Sequence, residues 1–95
     1  MNLNEEVQRG RDAQLIIENP IFAESFALVR AGIVNAWADG PIRDKEGAHE
    51  LKLMLKLLTD VEANIKRVME TGKMAVIQLE RDQKVAEFKN KNKFA

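Results

Sequence analysis

Apolar side chains recur at helical spacing along most of the chain, and the pattern predicts a first helix over residues 4–18. Asn4 is its expected N-cap, with Glu5 and Glu6 in the first turn, where the helix dipole favours carboxylates. The narrow apolar stripe of this helix consists of Val7, Gly10, Ala13 or Gln14, and Ile17. Because Gly10 lies on the stripe, a neighbouring helix has room to approach closely there.

The second helix is expected from Pro20 to about Ala38. Asn19 ends the first helix and caps the second, because proline disfavours the α conformation at the preceding residue and suits the first helical position. The apolar face of this helix consists of Phe22, Phe26, Val29, Ile33 and Trp37. Gly40, followed by Pro41, is expected to end the helix in the left-handed conformation.

The third segment, with Asp44 as its expected N-cap, carries the strongest pattern, because its apolar positions alternate steps of three and four residues until Asp82. These positions are Leu51, Met54, Leu58, Val61, Ile65, Val68, Gly72, Ala75 and Leu79. Such a seam is typical of a helix that packs along a partner helix. A straight helix from Asp44 to Leu79 spans about 54 Å and the second helix about 28 Å. The first two helices are therefore expected to leave the seam uncovered from about Val68 onward.

Two arrangements resolve this mismatch in length. Either the chain breaks at Gly72 and a fourth helix folds back, or the helix continues and its uncovered half packs on another copy of the chain. Gly72 keeps the register of the seam, so a continuous helix and self-association are favoured. The expected self-association residues are Leu51, Met54, Leu58, Val61, Ile65, Val68, Ala75 and Leu79.

The predicted fold class is all-α: an antiparallel helical hairpin with a long C-terminal helix and a shorter N-terminal helix packed on it. Residues 1–87 are expected to form a single helical domain. Residues 88–95, rich in lysine and asparagine, are expected to form a basic, flexible tail. A chain of 95 residues can bury only a thin core. Oligomerisation is a natural way for such a chain to bury more surface.

Composition removes most catalytic and cofactor chemistry. The chain has no cysteine, and its single histidine, His49, is expected to be a surface or turn-packing residue rather than a metal ligand. No nucleophile–base pair or phosphate-binding loop can be assembled, so a non-enzymatic protein without a cofactor is predicted. Basic and acidic residues balance at 15 each, which gives little attraction for a nucleic-acid backbone. No apolar run is expected to span a membrane and no secretory signal is recognisable, so a cytoplasmic location without membrane contact is expected.

A few side chains are candidates for contact with a partner other than the chain itself. A lone tryptophan at a helix end usually packs under the adjoining turn, but it can also anchor a partner. The candidate residues are Trp37, Phe22, Lys89, Lys91 and Lys93. The lysines are expected to bind nucleic acid weakly, if at all. A DNA-binding helix-turn-helix is disfavoured, because the break near residues 39–44 is long and the helix after it begins with Glu46 and Glu50.

Several short motifs together carry a resemblance. They are the Arg9-Gly10-x-x-Ala13 opening, Asn19-Pro20 with Phe22, Ala36-Trp37, Pro41-x-Arg43-Asp44 and Glu70-Thr71-Gly72-Lys73. Over about residues 9–75 the chain resembles small, all-helical, uncharacterised proteins encoded by tailed bacteriophages and prophages. The resemblance implies a phage origin and a setting in the bacterial host cytoplasm or the virion, and it assigns no functional residue.

The predicted function is that of a homo-oligomeric phage protein that acts through helix–helix contacts in virion assembly or DNA packaging. Its expected partners are further copies of itself and, in addition, another phage or host protein. The alternative, from a different class, is a phage-encoded inhibitor that binds a host protein, a defence protein or a defence signal. An inhibitor of this kind is expected to expose an acidic or aromatic patch that involves Trp37 and Phe22.

Overall fold

The protein is all-helical, as the sequence pattern predicts. The computed structural model describes residues 1–92, which form α1 (Leu3–Glu18), α2 (Pro20–Asp39) and α3 (Lys45–Asn92) and contain no β-strand. Residues 88–92, part of the predicted flexible tail, belong to the last turns of α3. The all-α fold class is therefore confirmed.

The first helix begins two residues earlier than expected. Its N-cap is Asn2, whose backbone is extended and whose Oδ1 accepts a hydrogen bond from the Glu5 amide at 2.8 Å. Asn4 lies inside the helix, so its predicted role as the cap is wrong. The earlier start places half-buried Leu3 one turn before Val7 and lengthens the apolar stripe.

The other helix ends follow local chemistry closely. The Oδ1 of Asn19 accepts hydrogen bonds from the amides of Ile21 and Phe22 at 2.9 and 3.2 Å, which confirms the predicted cap of α2. Asp44 likewise caps α3 by accepting from the Gly47 amide at 2.9 Å. The left-handed conformation expected at Gly40 is wrong, because its φ is −69° and its ψ is 154°. Pro41 explains this difference, since proline drives the preceding residue towards extended backbone.

The long helix continues without a break through Gly72, which confirms the continuity that was favoured, whereas packing on another copy of the chain stays a prediction. The expectation that the first two helices leave the seam of α3 uncovered from about Val68 onward is wrong, because α1 and α2 lie one after the other along α3. Ile33 and Trp37 of α2 share a groove with the beginning of α3 near Leu51. Val7 at the other end of this path lines a groove together with Val76, Leu79, Glu80 and Gln83. The extended backbone at Asn19 (ψ 121°) joins the two short helices in this arrangement.

The closest approach between helices occurs where α1 meets the middle of α3. Gly10 and Gly72 are both buried there. A Cβ atom added to Gly10 would lie 2.6 Å from the Cα of Gly72, and the same distance holds in the opposite direction. Each glycine therefore meets backbone rather than a movable side chain, and the crossing requires the absence of a side chain at both positions.

The molecule is thin and elongated, with dimensions of 79 × 25 × 17 Å. Its radius of gyration is 21.7 Å, against about 12 Å for a compact domain of this length. Among the hydrophobic residues of 1–92, only Ala13, Ile33 and Ala75 are buried. Two layers of helix therefore pack along a line, and most apolar side chains keep one side in solvent.

Candidate interaction surfaces

The predicted self-association residues divide into two groups in the structure. Ala75 is buried within the chain, and Val68 is half-buried. Half-buried positions on the line facing α1 and α2 are Leu51, Leu58, Ile65 and Leu79. Met54 and Val61 are 51% and 52% exposed. Much of the predicted seam is thus used inside one chain, whereas Met54 and Val61 remain available to a partner.

Several residues of the intrachain contact were not singled out by the heptad pattern. Leu55, Glu62, Met69 and Val76 are half-buried, and each directly follows a residue of the predicted seam. One residue rotates the helix by about 100°, so neighbouring positions lie on opposite sides of the Leu58–Ile65 line. The sequence does indicate these extra contacts, because in several turns of α3 apolar residues lie on both sides of that line and make the apolar stripe about twice as wide.

One side of the hairpin formed by α2 and α3 is charged; we call it the charged flank. Arg30 of α2 lies 3.6 Å from the Glu62 carboxylate and donates a hydrogen bond to Thr59 Oγ1 at 3.5 Å. Lys66 lies 3.5 Å from the same carboxylate. Because these groups are partly exposed, the pairs contribute little to stability, but they place Arg30, Thr59, Glu62 and Lys66 on one side of the molecule.

The candidate anchor Trp37 lies two turns after Arg30, on the same face of α2. Its indole is 59% exposed and borders an apolar groove of about 350 Å³. The lining residues of that groove are Ile33, Val34, Trp37, Leu51, Lys52 and Leu55. The structure therefore leaves Trp37 accessible instead of covering it with the following turn. Phe22 is half-buried and packs on Phe26, with ring centroids 4.5 Å apart.

The side of α3 that faces away from the charged flank carries a second line of residues at heptad spacing, which we call the second seam. It consists of Met54, Leu57, Val61, Asn64, Val68 and Thr71. Steps of three and four residues alternate along it, and none of its members is charged. Leu57, at 64%, is even more exposed than its neighbours Met54 and Val61. Sequence reasoning included Met54, Val61 and Val68 in the predicted seam but did not recognise this separate line.

The C-terminal part of α3 exposes further apolar side chains on its outer surface. This C-terminal stripe consists of Met74, Ile77, Val85 and Phe88. Arg81 lies between its two halves. The candidate lysines Lys89 and Lys91 are exposed in the last turns of α3, and Lys93 lies outside the described residues. This end of the helix therefore combines apolar and basic side chains.

The described residues offer no obvious metal site. Over residues 1–92, no three His, Cys, Asp or Glu side chains come together in a way that could hold a metal ion. His49 is exposed in the first turns of α3. The features that set this molecule apart are its exposed apolar surfaces.

The composition of α2 bears on the prediction that no apolar run of the chain could span a membrane. This helix has 20 residues and a mean hydropathy of 1.2, which makes it long and apolar enough to cross a membrane by those two criteria alone. Only 6% of that stretch is buried. Its contact with α3 includes a charged group, because Arg30 reaches the Glu62 carboxylate.

Comparisons of the chain with protein families, with curated proteins and with solved structures gave no match. The resemblance to phage proteins therefore stays a prediction.

Proposed function

We propose that this protein acts without catalysis, as a self-associating component that binds through helix–helix contacts. The unit that associates is the antiparallel hairpin of α2 and α3, extended by α1. The observation that carries the proposal is the second seam together with the exposed apolar residues of α2. Large apolar side chains such as Leu57, Val61, Leu28 and Val29 are more than half exposed on a chain of only 95 residues. Several large apolar side chains exposed on so small a chain are characteristic of an interaction surface.

The accessible area of the chain supports an association between copies. The described structure exposes 7857 Å², whereas a compact monomer of this mass exposes about 5,500 Å². The difference of roughly 2,300 Å² exceeds the roughly 800 Å² that each partner buries in a standard interface. Association would bury apolar surface that the intrachain core does not cover, and burial of such surface is the main favourable term in association.

The resemblance to small phage proteins supports a setting for this activity. In that setting the oligomer acts in virion assembly or DNA packaging, where repeated helix–helix contacts join many copies of a small protein. A second function is favoured by the accessible Trp37 and its groove, since tryptophan is enriched among residues that dominate binding energy. In this alternative the protein binds and inhibits a host or defence protein.

Absolute mass measured by light scattering over a concentration series tests the proposal. We expect a mass above that of the 10.8 kDa chain at micromolar concentrations, falling on dilution. A mass of one chain at every concentration would contradict self-association and would leave the inhibitor as the leading function. Circular dichroism of the same samples checks that the helices are folded throughout the series.

A further inference from the structure

We propose that the second seam of α3 is the surface on which a second copy of this chain docks, so that the two α3 helices pack against each other. The inference rests on the proposed self-association and adds to it a specific surface. The seam runs from Met54 to Thr71, about 26 Å along the helix. That length holds about two and a half heptads, or five turns of helix.

Spacing and exposure together identify this seam. Alternating steps of three and four residues keep a line of side chains facing one partner helix over many turns. Met54, Leu57 and Val61 are exposed by 51%, 64% and 52%, so α1 and α2 do not already occupy the first half of the line. Val68 is half-buried and borders a groove shared with Ile16, Arg9 and Asp12 of α1, so the second half of the line continues beside α1.

The distribution of charge on α3 itself favours the second seam over the charged flank. The charged flank holds Arg30, Glu62 and Lys66, and burying these groups in an interface would require removing them from water. None of the six residues that form the second seam is charged. A partner helix on this line therefore desolvates no charge of the line itself, and at its C-terminal half it meets Arg9, Asp12 and Arg67 beside the line.

A second copy of the chain is the occupant that this surface fits best. Knobs-into-holes packing requires the same alternation of three and four residues on both helices, and another copy supplies that pattern necessarily. The excess exposed area derived above is sufficient for such an interface. Asn64 is a polar residue near the middle of the seam. A single buried asparagine at a core position specifies register between identical helices, at a cost in stability.

The C-terminal stripe is the competing surface for the same partner. Met74 and Ile77 are 64% and 42% exposed. Arg81 lies on the line of the stripe, between Ile77 and Val85. A partner helix on this stripe would cover that charge, whereas no member of the second seam is charged.

Two matched pairs of substitutions separate these surfaces. The variant Leu57→Lys with Val61→Lys places two charges on the second seam, and Met74→Lys with Ile77→Lys does the same on the C-terminal stripe. All four side chains are exposed in the single chain, so each variant is expected to fold with an unchanged helical circular dichroism spectrum. We expect the first variant to weaken association by at least about 100-fold and the second to leave it within about threefold.

The outcomes distinguish this inference from the proposed function. If the unaltered chain is a monomer, self-association itself fails. If the unaltered chain associates and the variant at Leu57 and Val61 associates equally well, the proposed function stands and the second seam is overturned. Loss of association only in the variant at Met74 and Ile77 would assign the interface to the C-terminal stripe and would also overturn the inference.

Disulfide cross-linking provides a second readout that does not depend on charge. The chain has no cysteine, so a single introduced thiol can be followed without background. Under mild oxidation we expect Asn64→Cys to form a covalent dimer, because Asn64 lies in the second seam. The control Lys66→Cys, two residues away on the charged flank, is expected to remain uncross-linked. Equal cross-linking at both positions, or cross-linking at Lys66 alone, would overturn the inference.

Discussion

Replacement of Gly72 by alanine tests whether α1 crosses α3 as closely as the structure indicates. The added Cβ would lie 2.6 Å from the Cα of Gly10 and 3.0 Å from the carbonyl oxygen of Glu6. Both atoms belong to the backbone of α1, so a change of side-chain rotamer cannot relieve the contact. The helix must move away from α3, and the packing on either side of the crossing must loosen with it.

Two opposing terms set the size of the effect. Alanine is favoured over glycine in a helix by about 1 kcal/mol. Overpacking a close contact costs about 1–3 kcal/mol. The net change in the free energy of unfolding for Gly72→Ala is therefore expected to lie between about zero and a loss of 2 kcal/mol. Gly10→Ala meets the same contact from the other helix and is expected to behave in the same way.

Gly32→Ala is the matched control, because a Cβ added at Gly32 has no atom within 4 Å. This variant gains the propensity term alone, so we expect it to be stabilised by about 1 kcal/mol. Thermal and urea unfolding followed by circular dichroism measure the difference, at a concentration where light scattering gives the mass of one chain. The gap between the control and Gly72→Ala should be about 1–3 kcal/mol, or at least about 4 °C in Tm. Equal stabilisation of all three variants would refute the close crossing of α1 and α3.

Three smaller perturbations test other contacts. Asn19→Ala removes the side chain that accepts from two amides of α2 and should lower the free energy of unfolding in urea by about 1 kcal/mol. The control Asn35→Ala, at an exposed position of α2, should not destabilise the protein, and equal losses in the two variants would contradict the capping role. A double-mutant cycle on Arg30 and Glu62 should give a coupling below about 1 kcal/mol that decreases with salt, since both side chains are partly exposed; a coupling of several kcal/mol would show that the pair is far better shielded. Trp37 fluorescence should be quenched by acrylamide equally well at low and high protein concentration, because neither Trp37 nor the residues of its groove belong to the second seam; protection on association would place the interface at that groove.

The features that sequence reasoning obtained correctly are those decided within a few residues. Asn19 before Pro20 predicts one helix end and the next helix start, because a proline restricts its neighbour and an asparagine side chain satisfies free amides. Asp44 predicts the start of α3 by the same chemistry. Gly40 shows the limit of a rule applied alone, since the restriction imposed by Pro41 outweighed the preference of glycine for the left-handed conformation.

The sequence pattern does not show which neighbouring helix covers each line of apolar residues on α3. Met54 and Leu55 are both apolar, yet the first is exposed and the second is half-buried against α2. They differ by about 100° around the helix, and only the position of the neighbouring helix decides which of them it covers. The direction of the chain at Asn19 determines which part of α3 each short helix covers. It places α1 beyond α2 along α3, and not beside α2.

The sequence by itself therefore determined the helical class and most of the helix ends and favoured the continuity of α3, since hydrogen bonding within a helix and the alternation of apolar residues are local properties. Only the tertiary structure decided that one seam is used within the chain and a second, uncharged seam remains exposed. The physical reason is that hydrophobic burial is non-directional. An apolar stripe specifies that it must be covered, and the arrangement of the whole chain determines what covers it.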